Sequence, residues 1–282
     1  MFGVLREQWE HLDAPQIIKQ LDEYSLPFLS IHGKADATAI YGPDVGKYVR
    51  KLVDLNRPAS VYPFVMPLLK QFHDAQIAKD TVIECLTSLE SFLVRRALCG
   101  IEPTGLLGLF RTMWANAAGH PTASVIESII LKRRTVEWPT DQRLREAIKS
   151  RPLYGASIAK FAVLEYDRSQ GMDHPVSSAV SIEHILPNSY ADDWKNVVTK
   201  IQHGKLRHLW ANLIPLSMVM NTSVDQQPYE LKRKVFENDS MFASARQLAK
   251  DYQTWGESEI NARSEVLADW AIARWPRPAD FV

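Results

Sequence analysis

The chain is poor in cysteine, carries no net charge and lacks a long apolar run, and each shortage closes off a class of protein. Only two of its 282 residues are cysteine, Cys85 and Cys99, and no CxxC pair occurs, which argues against a structural zinc site built on thiolates. Both thiols fall in strongly helical sequence, and two buried thiols suit a reducing cytoplasm, the expected location. The 33 Lys and Arg residues balance 33 Asp and Glu, so the molecule as a whole exerts no electrostatic pull on nucleic acid. Any such binding must come from local basic clusters. No apolar run approaches the ~18 residues of a membrane span, and the amino terminus has no signal-peptide pattern. No membrane association is expected. What is abundant is core-forming material: 46% hydrophobic residues and 8 Trp allow sizeable cores, and the length allows two domains at ~100–200 residues each.

Nothing before residue 175 alternates apolar and polar residues over a strand length, so residues 1–175 are expected to form an all-helical domain. Asp13-Ala14-Pro15 reads as an N-cap followed by an early helical proline. Ile17, Ile18, Leu21, Tyr24 and Leu26 then recur at helical spacing. Residues 33–46 read as loop and 45–55 as a second helix. Residues 61–72 are strongly apolar, with Pro63 at the entry and Pro67 as an expected kink. The clearest helix covers 81–98, stopped by Gly100, and shorter ones are expected over 106–117, 123–132, 141–149 and 158–166. From Ser177 the texture changes. Val180, Ile182, Ile185 and Leu186 are strand-like, 191–208 is a polar, partly helical insertion, and 209–216 reads as a second strand. Ser217 can cap a helix carrying Asn221, and 241–252 and 258–275 are closing helices. The expected fold is mainly α, a helical bundle over 1–175 followed over 176–282 by a small ββα-metal element.

The chemistry concentrates in Ser181-Ile182-Glu183-His184-Ile185-Leu186-Pro187-Asn188-Ser189, its echo Ala211-Asn212-Leu213-Ile214-Pro215-Leu216-Ser217, and Asn221. An acidic residue, a histidine and two asparagines stand here in the order used by single-metal nucleases of the HNH type. Phosphodiester cleavage at such a site needs a neutral imidazole to take a proton from water, a divalent cation to stabilise charge, and oxygen ligands for that cation. His184 is the candidate base, because an unperturbed pKa of ~6.5 leaves it largely neutral at physiological pH. Glu183 and Asn221 are the candidate ligands for one Mg2+ (or Mn2+), which keeps several waters and takes one or two protein oxygens. Strand neighbours point to opposite faces, so Glu183 and His184 share a site only where the strand ends or twists. Pro187 supports an ending. Asn212 is expected at the start of the second strand, tying down the loop behind His184 and orienting the base.

These segments, with Lys232 or Lys234 downstream, resemble the HNH-type (His-Me finger) nuclease domain of GmrSD-like modification-dependent restriction proteins, a group that includes SspE-type phosphorothioate-sensing defence proteins. Ser91-Phe92-Leu93-Val94-Arg95-Arg96-Ala97-Leu98-Cys99-Gly100 and Trp138-Pro139-Thr140-Asp141 are similar to the helical segment ahead of that nuclease. The resemblance implies His184 as general base, Glu183 and Asn221 as metal ligands, Asn212 as the structural asparagine, and double-stranded DNA as substrate. Two features depart from the pattern: Ala211 stands where glycine is usual, and the interval between His184 and Asn212 is long, so the insertion must loop out. The resemblance also implies an amino-terminal nucleotide-hydrolysing domain absent from this chain, in which no Gly-rich phosphate loop is found.

The densest basic runs, Lys132-Arg133-Arg134 and Lys232-Arg233-Lys234, are candidate phosphate contacts, the second the stronger because it follows the helix of Asn221. Asn188 and Ser189 are candidates to position phosphate. Either run also suits a solvated helix end. One of Arg95 and Arg96 is expected to pair with carboxylates between helices, His203 and His208 read as exposed loop residues, and Trp255, Trp270 and Trp275 as core. The leading expectation is a metal-dependent DNA endonuclease that nicks one strand and acts in restriction of foreign DNA. The rivals are a catalytically silent DNA-binding or regulatory module on the same fold, and a helical scaffold with an incidental Glu-His pair.

Overall fold

The computed structural model describes residues 9–55, 59–171 and 180–279. The chain divides into two compact units. One runs to Leu93 and resumes over Glu102–Trp138, and the other comprises Val94–Ile101 and Pro139–Arg277. The boundary expected at 175–176 lies outside the described residues.

In the first unit Asp13 caps α1 (Ala14–Asp22) through a capping box with Gln16, as the Asp-Ala-Pro sequence predicts. The helix buries no residue, so Ile18 and Leu21 face solvent. After α2 (Ser25–Ile31), the expected loop over 33–46 is instead largely helical. Asp36 caps α3 (Ala37–Asp54), accepting from the Thr38 amide, and the helix bends at Gly42 (φ 78, ψ 167). Pro43 drives its predecessor out of the α region, and glycine takes up the left-handed φ that results. Helices α4 (Tyr62–His73), α5 (Lys79–Leu98), α6 (Leu106–Asn116) and α7 (Ala123–Leu131) follow the predicted spacing. They enclose Phe64, Leu68, Leu89, Phe92, Phe110 and Ile130, all fully buried.

The second unit begins with the last turns of α5. There the Ile101 amide bonds the Arg96 carbonyl across Gly100, whose φ is +64. Buried Arg95 donates to the carbonyls of Trp275 and Pro139 and pairs with Asp141 at 2.6 Å, the inter-helix pairing its apolar setting predicts. Helices α8 (Asp141–Ser150) and α9 (Ala159–Ser169) precede the sheet. Strands β1 (Val180–His184) and β2 (Leu213–Ser217) pair antiparallel, with Glu183 opposite Ile214 and His184 opposite Leu213. Each strand of this sheet is an edge, which tolerates Pro215. Strand β2 is shorter than predicted, because Trp210–Asn212 form a 3-10 turn ahead of it.

Between the strands the insertion holds α10 (Lys200–Leu206), and Ser217 caps α11 (Met218–Val224), which packs on both strands. Helix α12 (Tyr229–Asn238), which the sequence reading missed, then leads to α13 (Ala243–Asp251) and α14 (Glu257–Arg274). Asp167 on α9 accepts from the amide and hydroxyl of Ser244 at the start of α13, and α14 packs along α8. The chain is therefore mainly helical, with one two-stranded sheet among the described residues of its second unit. Among the described residues no helix is long and apolar enough to cross a membrane.

Replacing Gly100 by alanine forces a side chain into the left-handed region, and its Cβ would meet the Arg151 guanidinium. A destabilisation of ~1–2 kcal/mol is expected in chemical denaturation; unchanged stability would contradict the assigned helix stop.

Candidate active site

His184 is the last residue of β1, where the ladder ends and the chain turns through Ile185, Leu186 and Pro187. Asn212 holds that turn. Its Oδ1 accepts from the Leu186 amide at 2.7 Å and from Trp255 Nε1 at 3.0 Å, and its Nδ2 donates to the carbonyls of Leu186 (2.8 Å) and Arg207 (2.9 Å). One fully buried amide thus satisfies four groups and pins the segment after His184 to the segment carrying Arg207 and His208. Arg263, buried on α14, brackets it by donating to the carbonyls of Ala211 and Leu213. His203, buried on α10 rather than exposed in a loop, bonds the Pro187 carbonyl at 2.8 Å. The long insertion is thereby folded back onto the turn it interrupts.

The His184 ring lies in an aromatic and imidazole pocket that sequence reasoning did not assemble. Tyr154 meets it edge-on with ring centroids 4.2 Å apart and stacks on His208 at 5.5 Å. His184 Nε2 and His208 Nδ1 are 3.2 Å apart, and Arg207 Nε donates to His208 Nε2 at 3.0 Å. The expectation of an exposed, uninvolved His208 is overturned: it is half-buried against the candidate base. The Leu153 and Tyr154 amides both bond the His208 carbonyl, fixing the tyrosine loop to the same strand end. The position of His208, four residues before Asn212, was the one available signal. Tyr154 had none.

Glu183 points elsewhere. Glu183 is 4% exposed; its carboxylate accepts from Lys232 Nζ at 2.5 Å, and the same ammonium donates to the His184 carbonyl at 2.9 Å. Lys232 is fully buried, so its side chain is withdrawn from solvent and from the phosphate contact expected of it. Successive residues of α12 are rotated by ~100°, and the basic run does not act as one patch. Arg233 is half-buried and donates to Glu237 and the Ala249 carbonyl, whereas Lys234 is exposed beside Glu230. Asn188 and Ser189 are exposed just beyond the turn, and Lys132 and Arg134 are exposed in the first unit.

Asn221 Nδ2 donates to Ser181 Oγ (2.8 Å) and the Ile182 carbonyl (3.3 Å). Ser181 and Glu183 are two apart on β1 and share a face. Of the four residues expected to converge, Asn221 bonds Ser181 and Ile182, Glu183 is paired with Lys232, His184 turns toward His208, and Asn212 braces the backbone behind it. Among the described residues no group of three His, Cys, Asp or Glu could hold a metal ion. Glu183 and Asn221 offer one carboxylate and one amide oxygen, donor types that a hard cation takes in preference to a soft one, but the carboxylate is already paired with Lys232. Lys232 already supplies positive charge at that carboxylate.

Electrostatics follow burial. Burial, reinforced by His208, Lys232, Arg207 and His203, lowers the His184 pKa to about 4, so its imidazole is neutral at physiological pH. His208 is lowered by burial and by Arg207 and His203. Burial pushes Glu183 up and Lys232 down, each opposed by the attraction of the other.

The geometry describes a helical unit in which a short sheet and a helix carry a neutral, braced imidazole at a strand end. Residues 138–270 match the family of GmrSD restriction endonucleases, C-terminal domain, and the chain contains a GmrSD-like C-terminal region. No curated protein matches the chain.

Two measurements check these assignments. Unfolded histidine protonates near ~6.5 while folded His184 resists to about 4. The stability it contributes is complete above the unfolded value and is lost as pH falls toward the folded one. The melting temperature of the wild type should therefore drop more between pH 7 and 5 than that of His184→Gln, and parallel curves would contradict the neutral, buried imidazole. Lys232→Met leaves the Glu183 carboxylate buried without its partner and should destabilise by ~3–5 kcal/mol, with Glu183→Gln in the same chain restoring part of the loss. An additive double variant would show that the two side chains do not interact.

Proposed function

We propose that this protein is a metal-dependent DNA endonuclease that nicks one strand per site, in keeping with the restriction-endonuclease family to which residues 138–270 match. The observation that carries the reading is the four-way bonding of Asn212, which fixes the turn behind a neutral imidazole at the end of β1. His184 is the general base that takes the proton of the attacking water. Glu183 and Asn221 are the residues that would hold one Mg2+ or Mn2+. When bound, that ion supplies Lewis-acid stabilisation of charge at the phosphate and the leaving oxygen. Asn188, Ser189 and Lys234, all exposed, are the proposed phosphate contacts of this unit, and double-stranded DNA is the proposed substrate. The HNH-type ββα assignment belongs to the same proposal, as do the two-domain division of the chain and a role in defence against foreign DNA.

A second reading has its own observation. The buried Glu183–Lys232 pair engages the carboxylate that the cation needs, which favours a catalytically silent DNA-binding or regulatory module.

A plasmid assay separates the two. The wild type is expected to convert supercoiled DNA to the open circle in Mg2+ or Mn2+ but not in chelator. His184→Ala should lose that activity by ~100-fold or more while keeping its helical circular-dichroism signal. Equal nicking by His184→Ala would remove the assigned base, and DNA binding without metal-dependent cleavage would establish the silent module.

A further inference from the structure

The contacts of His208 fix the direction of a short hydrogen-bond chain. Arg207 Nε can only donate, so His208 Nε2, 3.0 Å away, accepts. A neutral imidazole has one donor and one acceptor, so His208 carries its hydrogen on Nδ1 and aims it at His184 Nε2, at 3.2 Å. His184 then holds its lone pair on Nε2 and its hydrogen on Nδ1. The reverse chain would set two N–H groups against each other at Arg207. The segments that carry the two rings are tied together, because Asn212 Nδ2 bonds both the Arg207 carbonyl and the Leu186 carbonyl, Tyr154 stacks on His208, and the Leu153 and Tyr154 amides bond the His208 carbonyl.

We infer that His208 is a positioning residue for His184, held by Arg207 in the tautomer that donates to the base, so that Nε2 of His184 is the nitrogen that receives the proton during cleavage. His208 itself does not touch the reacting atoms. Its N–H occupies the direction from which water approaches the same lone pair, and the proton passes from water oxygen to His184 Nε2 once water replaces it. Without His208 a neutral His184 is free to place its hydrogen on either nitrogen, and the fraction with hydrogen on Nε2 cannot accept. The inference rests on His184 as base, but its first test does not require cleavage.

That test is the tautomeric state of the two rings, read from long-range proton–nitrogen correlation spectra of the full chain labelled with 15N-histidine. The 8 histidines are assigned by single substitution. Wild type is expected to show Nδ1–H with an unprotonated Nε2 on both His184 and His208. His208→Ala and Arg207→Met should each return His184 to a mixture. An Nε2–H signal on either ring of the wild type, or an unchanged His184 signal in both variants, overturns the chain. In the nicking assay His208→Ala is expected to lose ~10-fold or more in kcat with little change in KM. His208→Asn, which keeps an N–H donor at the Nδ1 position, should recover most of that loss. Cleavage by His208→Ala at or above the wild-type rate overturns the positioning role. A wild type that shows the expected tautomers but cuts no DNA would leave the chain standing and remove the nuclease reading instead.

Discussion

The buried amide of Asn212 is the constraint on which the rest of the site depends. The end of β1 and the end of the insertion approach each other there with carbonyls and amides that the strand ladder no longer satisfies. A buried backbone group left unpaired costs ~1–3 kcal/mol. Asn212 supplies both an acceptor and two donors at one point, and Trp255 and Arg263 close the remaining valences around it. An aspartate would lose the donors and a leucine would lose everything. Because the groups it joins flank His184 on one side and His208 on the other, the same bonds that stabilise the fold set the spacing of the two imidazoles.

The site divides its charges between two sides of one strand end. On one side burial and cationic neighbours keep His184 uncharged, the state a base needs. On the other, Glu183 is stabilised within the fold by Lys232, a pairing that compensates for two buried charges while leaving little negative potential to spare. A chain with no net charge therefore carries strongly local electrostatics, and its basic run on α12 is split by helical geometry into one buried, one paired and one exposed side chain.

Much of the helical frame was legible in the sequence, because capping residues, apolar spacing and Gly100 each leave a local mark. The exceptions have physical causes. The Gly42-Pro43 bend joined two helical pieces across what reads as loop, and α12, rich in charge, carries too narrow an apolar stripe to announce itself. In the candidate site, Glu183, His184, Asn212 and Asn221 stood out because their order along the chain is distinctive. Their partners did not. Lys232 lies 49 residues from Glu183 and Tyr154 some 30 before His184, contacts that only tertiary packing creates. His203 and His208 read as exposed because their surroundings are polar in sequence, yet the insertion folds inward and buries the first and half-buries the second.

The most direct test of the proposed site, with one cation held by Glu183 and Asn221 and His184 turned to the phosphate at the same strand end, is a crystal structure of the protein with a short DNA duplex and Mn2+, the ion located by its anomalous scattering. A single peak is expected beside a Glu183 carboxylate oxygen and the Asn221 amide oxygen, with Nε2 of His184 facing water beside the adjacent phosphate. A peak elsewhere, or a duplex bound with Glu183 still held by Lys232 and no ion beside it, would contradict it.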